Sequence, residues 1–243
     1  MTIETVEPKT ARKRVELHLV NGFELIEGER YAPDISSAEY QDFFQFYDAQ
    51  VKPDPYSKVR DRAMIKLIYD AAKGEFLVNP DQYYFQSYGA NDSDGGKVRV
   101  FPPVDPVVLQ NAAFGKVLAR DRTYLDTFAS RRGVERLNIS VHFIRYKAEQ
   151  GGASYSSPVW LHLDDEPLVF IHLIRLTPNA LGADSVISGM DSYPTHVYRL
   201  RNPFDTLIVD RAKKHAVTPL GSMEGMAYRD VMLVNLEADV QQQ

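Results

Sequence analysis

Residues 157–176 read SPVWLHLDDEPLVFIHLIRL. Two β-like pieces lie in this stretch, Ser157–Asp164 and Leu168–Leu176, and Asp165-Glu166-Pro167 separates them because proline cannot donate to a sheet ladder. Working outward, similar pieces recur at Asn138–Ala148 upstream and at His196–Leu200, Thr206–Val209, His215–Leu220 and Ala227–Leu236 downstream. Short β segments in succession, with no helical pattern between them, argue for an antiparallel barrel or a two-sheet sandwich. Within the first piece His162 and Asp164 stand at i and i+2. An extended strand projects such residues from one face, about 7 Å apart, so both side chains can reach one metal.

Upstream the pattern changes. From Asp105 to Arg132 a helical period brings Val108, Ala112, Val117, Leu118, Tyr124, Leu125 and Phe128 onto one stripe, and Gly133 suits a C-cap. Ser36 and Ser37 precede a second stripe of Tyr40, Phe43, Phe44 and Tyr47, behind a plausible N-cap. Ala63–Tyr69 and Glu75–Val78 read as strands, and Asn91–Gly96 as a turn. A single domain over residues 1–243 is expected: helix-rich elements in 1–135 pack on a metal-binding β core in 136–240. The fold class is therefore mainly β with flanking helices.

Composition removes several functions. Lysine and arginine total 28 against 33 acidic residues, a net charge of −5, so no overall positive field exists to hold a nucleic acid. The short basic cluster Lys9, Arg12, Lys13 and Arg14 reads as the solvated face of a first helix, and Gln241–Gln243 as a frayed tail. With no cysteine, disulfides, thiolate metal sites and cysteine nucleophiles are excluded, and any metal must sit on His, Asp or Glu. The first residues lack the apolar run of a signal peptide and no segment has the length of a membrane span, so a cytoplasmic protein without a membrane partner is expected.

A third metal ligand must come from His18, His142, His172, His196 or His215. His142 and His172 lie inside apolar runs, where histidine is more often a core or pocket residue. His215 heads a β segment, and Arg229 follows on the next strand, placed to grip the far carboxylate of a dicarboxylate that chelates a metal. Two histidines and one carboxylate with open positions suit non-haem Fe(II).

Six stretches carry a resemblance: YFQS at Tyr84–Ser87, DGGKVR at Asp94–Arg99, RYKA at Arg145–Ala148, SSPVWLHLDDEP at Ser156–Pro167, LGAD at Leu181–Asp184 and HAVTPLG at His215–Gly221. On these the chain resembles the Fe(II)/2-oxoglutarate-dependent dioxygenases of the bacterial free L-amino-acid hydroxylase branch, the relatives of isoleucine 4-hydroxylase. The resemblance implies a double-stranded β-helix of the jelly-roll or cupin kind. It implies Fe(II) held by His162, Asp164 and His215, 2-oxoglutarate held by Arg229, O₂ as oxidant and ascorbate as activator. The implied reaction hydroxylates a small free amino acid and releases succinate and CO₂. Tyr146 is expected to bond an oxygen of 2-oxoglutarate, Arg99 to meet the substrate α-carboxylate, and Asp165 or Glu166 the α-ammonium. Trp160, on the parity of His162, is expected as a pocket wall beside Phe143 and Phe170. These apolar walls favour an aliphatic side chain such as that of leucine, isoleucine or methionine. Two alternatives stay open: a dioxygenase of another small molecule or a protein side chain, and a metal- or ligand-binding β-helix without activity.

Overall fold

The computed structural model describes residues 19–91 and 94–237. The basic cluster at 9–14, His18 and the tail 241–243 lie outside the described residues. In chain order the elements are β1 (Phe23–Ile26), α1 (Gly28–Tyr31), α2 (Ser37–Gln50), β2 (Lys52–Pro53), β3 (Arg60–Asp70) and β4 (Glu75–Val78). A short 3₁₀ turn at Pro106–Gln110 leads into α3 (Ala112–Arg132) and β5 (Arg136–Glu149). Then come β6 (Leu168–Leu176), β7 (Ala180–Gly182), β8 (Ser185–Ser188), β9 (Pro194–Tyr198), β10 (Thr206–Asp210), β11 (Lys214–Val217), β12 (Leu220–Ser222) and β13 (Met226–Leu236). None of the described helices is long and apolar enough to cross a membrane.

The major sheet runs β1-β10-β6-β13-β5-β3-β2, with β4 also paired to β3, and its named strand pairs are antiparallel. A minor sheet runs β11-β8-β9, and β12 pairs with β7. Strands that precede residue 135 thus enter the same sheet as those that follow it. The two sheets enclose one cavity, lined from β5 and β13 on one side and from β8 and β11 on the other. This is a double-stranded β-helix.

Alternation of side chains sorts the major sheet into two faces. Ile144 and Tyr146 of β5, Val169 and Ile171 of β6, and Arg229, Val231 and Leu233 of β13 face the cavity. Residues of the opposite parity, among them Phe143, Phe170, Met232 and Val234, join a separate buried cluster with α2 and α3. Phe143 stacks on Tyr47 at 4.8 Å between ring centroids, and Phe170 meets Tyr124 edge-on at 5.7 Å. Phe143 and Phe170 are therefore walls of the helix–sheet core and not of the pocket.

The helices obey their sequence signals. Ser36 and Glu39 form a capping box at α2, each satisfying an amide the first turn leaves open. The aromatic stripe of α2 is core, as its spacing implies, and it does more than pack. The β6–β13 pairing shifts register between Asp230 and Val231, which leaves carbonyls outside the regular ladder. Tyr40 donates its hydroxyl to Ile174 O at 3.0 Å and Tyr47 donates to Val231 O at 3.1 Å, so two tyrosines of α2 serve this bulge. The helix read as continuous from Asp105 divides instead. Asp105 caps the 3₁₀ turn and Asn111 caps α3 through Phe114 N, so two successive caps interrupt the helical hydrogen bonding. Gly133 ends α3 in the left-handed region at φ 64°.

One strand expected from the sequence does not form. Residues 157–164 are irregular, and only His162 pairs, in an isolated bridge to His215.

Candidate iron and 2-oxoglutarate site

His215 is held in the minor sheet by the β11–β8 ladder, opposite Ile187. His162 is brought to it by two reciprocal backbone hydrogen bonds, His162 N to His215 O at 3.1 Å and His215 N to His162 O at 3.0 Å. The imidazole centroids then lie 4.6 Å apart. Asp164 completes the group: its Oδ1 is 3.5 Å from His162 Nε2 and its Oδ2 is 3.2 Å from His215 Nε2. Nitrogen and oxygen donors from all three lie within 4.8 Å of one another, and their side chains are 11–15% exposed, shielded yet reachable.

The ring of His162 is oriented by its backbone. Its Nδ1 lies 2.7 Å from Trp160 O, and because a carbonyl only accepts, Nδ1 carries the proton and Nε2 presents a lone pair. Burial works against charge on Asp164, yet His215 and His162 hold its carboxyl far below the usual range. Burial likewise opposes protonation of His162, and Asp164 outweighs it, raising the imidazole above its ordinary value. An ionised carboxylate beside two imidazole nitrogens suits a divalent cation.

Across the cavity stands Arg229 of β13, 4% exposed and with no carboxylate within ion-pair distance among the described residues, Asp184 acting on it only at longer range. Burial lowers its pKa. Tyr146 of β5 is its register partner, and the guanidinium carbon lies 5.7 Å from the tyrosine ring centroid. Both line the cavity with the three clustered residues.

The other expected site residues are placed differently. Trp160 is 54% exposed and does not line the cavity, since without a regular strand its parity with His162 has no force. Arg99 is 1% exposed and stands behind Gln86, donating to its Oε1 at 2.8 Å; Gln86 and not Arg99 reaches the cavity. Asp165 accepts from Ser87 N and Oγ, which ties the segment after Asp164 to the loop at 84–91. Glu166 accepts from the Tyr84 hydroxyl at 2.8 Å, and burial together with Asp164 pushes its carboxyl up to about 8.

Sequence reading missed Arg60 and Arg62, which reach the cavity from β3, and Tyr84 and Gln86 beside them. Their signal was present: arginines at i and i+2 immediately before the apolar run at Ala63 share the inward face of a strand that begins earlier than its apolar part.

The profile of the 2OG-Fe dioxygenase family matches residues 46–235. The chain belongs to this family. It is 39% identical over 189 residues to the 3(1)-hydroxy-L-isoleucine 4-dioxygenase of Pantoea ananatis (strain AJ13355), covering 76% of this chain and 75% of that one. To the L-isoleucine-4-hydroxylase of Bacillus thuringiensis it is 34% identical over 185 residues, covering 76% and 77%. The crystal structure of IDO from Bacillus thuringiensis superposes with a TM-score of 0.77 at 29% identity, over 90% of this chain and 95% of that one. A bsmA homolog from Methylobium petroleophilum PM1 shares the fold, with a TM-score of 0.78 at 18% identity over 90% and 89%. The protein is thus a dioxygenase that uses Fe(II), 2-oxoglutarate and O₂. The His-Asp-His donors fit that iron, and a buried arginine with no directly paired carboxylate fits a dicarboxylate cosubstrate.

Proposed function

We propose that His162, Asp164 and His215 hold Fe(II), that Arg229 and Tyr146 hold the distal carboxylate of 2-oxoglutarate, and that the substrate is a free aliphatic L-amino acid of the isoleucine class. When bound, the iron, 2-oxoglutarate and O₂ would supply the oxidation, one oxygen atom of O₂ ending in succinate as 2-oxoglutarate loses CO₂ and the other converting one substrate C–H to C–OH.

The chain's own residues orient and shield. Arg229 offers a charge-assisted pair to a carboxylate in a water-poor site, where such a bond is strong. His162 keeps Nε2 free because Trp160 O occupies Nδ1. Ile144, Val169, Ile171, Val217, Val231 and Leu233 supply apolar wall and leave little for water to bond.

One observation carries the substrate class. Among the described residues lining the cavity, Asp164 is the sole carboxylate, and it belongs to the metal cluster. A lysine or arginine side chain would find no partner there, whereas an aliphatic one meets the apolar wall. The isoleucine-directed names of both curated relatives support the same class. For the α-amine, neither expected carboxylate lines the cavity: Asp165 is committed to Ser87, and Glu166 is buried against Tyr84.

A mass-spectrometric screen of the twenty amino acids with Fe(II), 2-oxoglutarate, O₂ and ascorbate tests the reading. It predicts a gain of one oxygen on isoleucine or its aliphatic neighbours, and none on N-acetyl-isoleucine. Oxygenation confined to lysine, or to the blocked form, would contradict it.

A further inference from the structure

Three arginines reach the cavity, and their surroundings differ. Arg60 is neutralised by Asp54 at 2.6 Å. Arg229 is the residue assigned above to the cosubstrate. Arg62 is 6% exposed and has no carboxylate within ion-pair distance among the described residues. Its Nε is buried without a hydrogen-bond partner. A guanidinium taken from water without a counter-ion is an unfavourable element of a fold unless a ligand completes it.

What surrounds Arg62 holds it still instead of neutralising it. The guanidinium carbon sits 3.9 Å from the Phe101 ring centroid and 5.5 Å from that of Tyr84. Its Nη2 lies 2.9 Å from His142 Nδ1. Arginine only donates, so His142 must accept at Nδ1 and carry its proton on Nε2, which faces Ser140 Oγ at 3.2 Å. Burial and the positive neighbour Arg62 keep His142 neutral, with a pKa well below its ordinary value.

Arg62 is also set apart from Arg229. Arg229 pairs in register with Tyr146, Tyr146 with Arg60, and Arg62 lies two residues further along β3. Sheet spacings put the two Cα atoms about 12 Å apart, two strands over and one side-chain repeat along. A dicarboxylate stretched from the metal cluster to Arg229 leaves Arg62 for a different carboxylate.

We propose that Arg62 binds the α-carboxylate of the amino-acid substrate and that His142 is the positioning residue that holds its guanidinium. This rests on the reading of the protein as a free amino-acid hydroxylase. It moves the carboxylate contact from Arg99, which stands behind Gln86, to the arginine that faces the cavity.

The test is calorimetric binding, without O₂, of isoleucine and isoleucinamide to protein loaded with Fe(II) and 2-oxoglutarate. Wild type should prefer isoleucine. Arg62→Gln should weaken isoleucine about 10- to 100-fold, the range of a lost charge-assisted contact, and move isoleucinamide by less than about threefold, erasing the preference. Arg62→Lys should restore part of it, and the affinity for 2-oxoglutarate should stay within about threefold in both. An unchanged preference in Arg62→Gln, or equal weakening of acid and amide, would overturn the proposal. Should the glutamine variant not fold, the lysine variant decides by the same ratio. Wild type that hydroxylates isoleucine while the ratio is unmoved by substitution defeats the role of Arg62 alone. Wild type that neither binds nor oxygenates any amino acid defeats both readings.

Discussion

Iron affinity should rest on three side chains. His162→Ala, Asp164→Ala and His215→Ala each remove a donor from a cluster spanning 4.8 Å, so each should abolish both Fe(II) uptake measured by titration and succinate formation. Their melting temperatures should change little, because a catalytic site with open positions contributes less to folding than a closed structural one. Iron uptake surviving in His215→Ala would remove the assignment. Arg229→Gln should raise the KM for 2-oxoglutarate by about tenfold or more, the loss of one charge-assisted contact, while the KM for the amino acid moves far less. Equal movement of both constants would make Arg229 a shared or structural residue. At this scale the metal group was legible because ligand-capable residues are few: the chain has no cysteine and six histidines, and only His162 is followed at i+2 by a carboxylate. The carboxylate-binding arginine of β3 was not legible. The apolar run at Ala63 marked the strand, and Arg60 and Arg62 fell into the loop before it.

Between elements, the decisive contact is buried and polar. Asp121 of α3 and His172 of β6 are both 0% exposed, with His172 Nε2 3.3 Å from Asp121 Oδ2. Tyr31 of α1 also donates its hydroxyl to Asp121, and His172 Nδ1 lies 2.9 Å from Thr206 Oγ1 of β10. This network ties α1 and α3 to the outer face of the major sheet, away from the cavity. Asp121→Ala would leave the Tyr31 hydroxyl buried without its partner, so unfolding by denaturant should show a loss of about 1 to 3 kcal/mol. The KM for 2-oxoglutarate should be unchanged; a large increase would mean that the network governs the site as well. That His172 is structural follows from its apolar run, as the sequence suggested. Its aspartate could not be read there, because residues 51 positions apart become neighbours only when a helix packs across a sheet. Phe143 and Phe170 show the same limit from the other side. Alternation groups residues by face, but which face meets the metal depends on the sheet that closes over it.

For the whole molecule, the two-sheet enclosure explains why one cavity collects the His162-Asp164-His215 cluster, the arginines proposed for cosubstrate and substrate, and an apolar wall. The β-rich second half was readable from its short extended segments. The contribution of the first half was not, since β1 and β3 join the major sheet at positions set by long-range pairing rather than by local pattern. If the enclosure couples cosubstrate oxidation to one bound aliphatic amino acid, consumption and product must agree. The most direct measurement is the ratio of succinate to oxygenated amino acid formed by the wild-type protein with isoleucine as substrate. The account predicts a ratio near one, with succinate formation falling steeply when isoleucine is withheld or replaced by lysine. Succinate released at the same rate with and without isoleucine, and no oxygenated product, would contradict it.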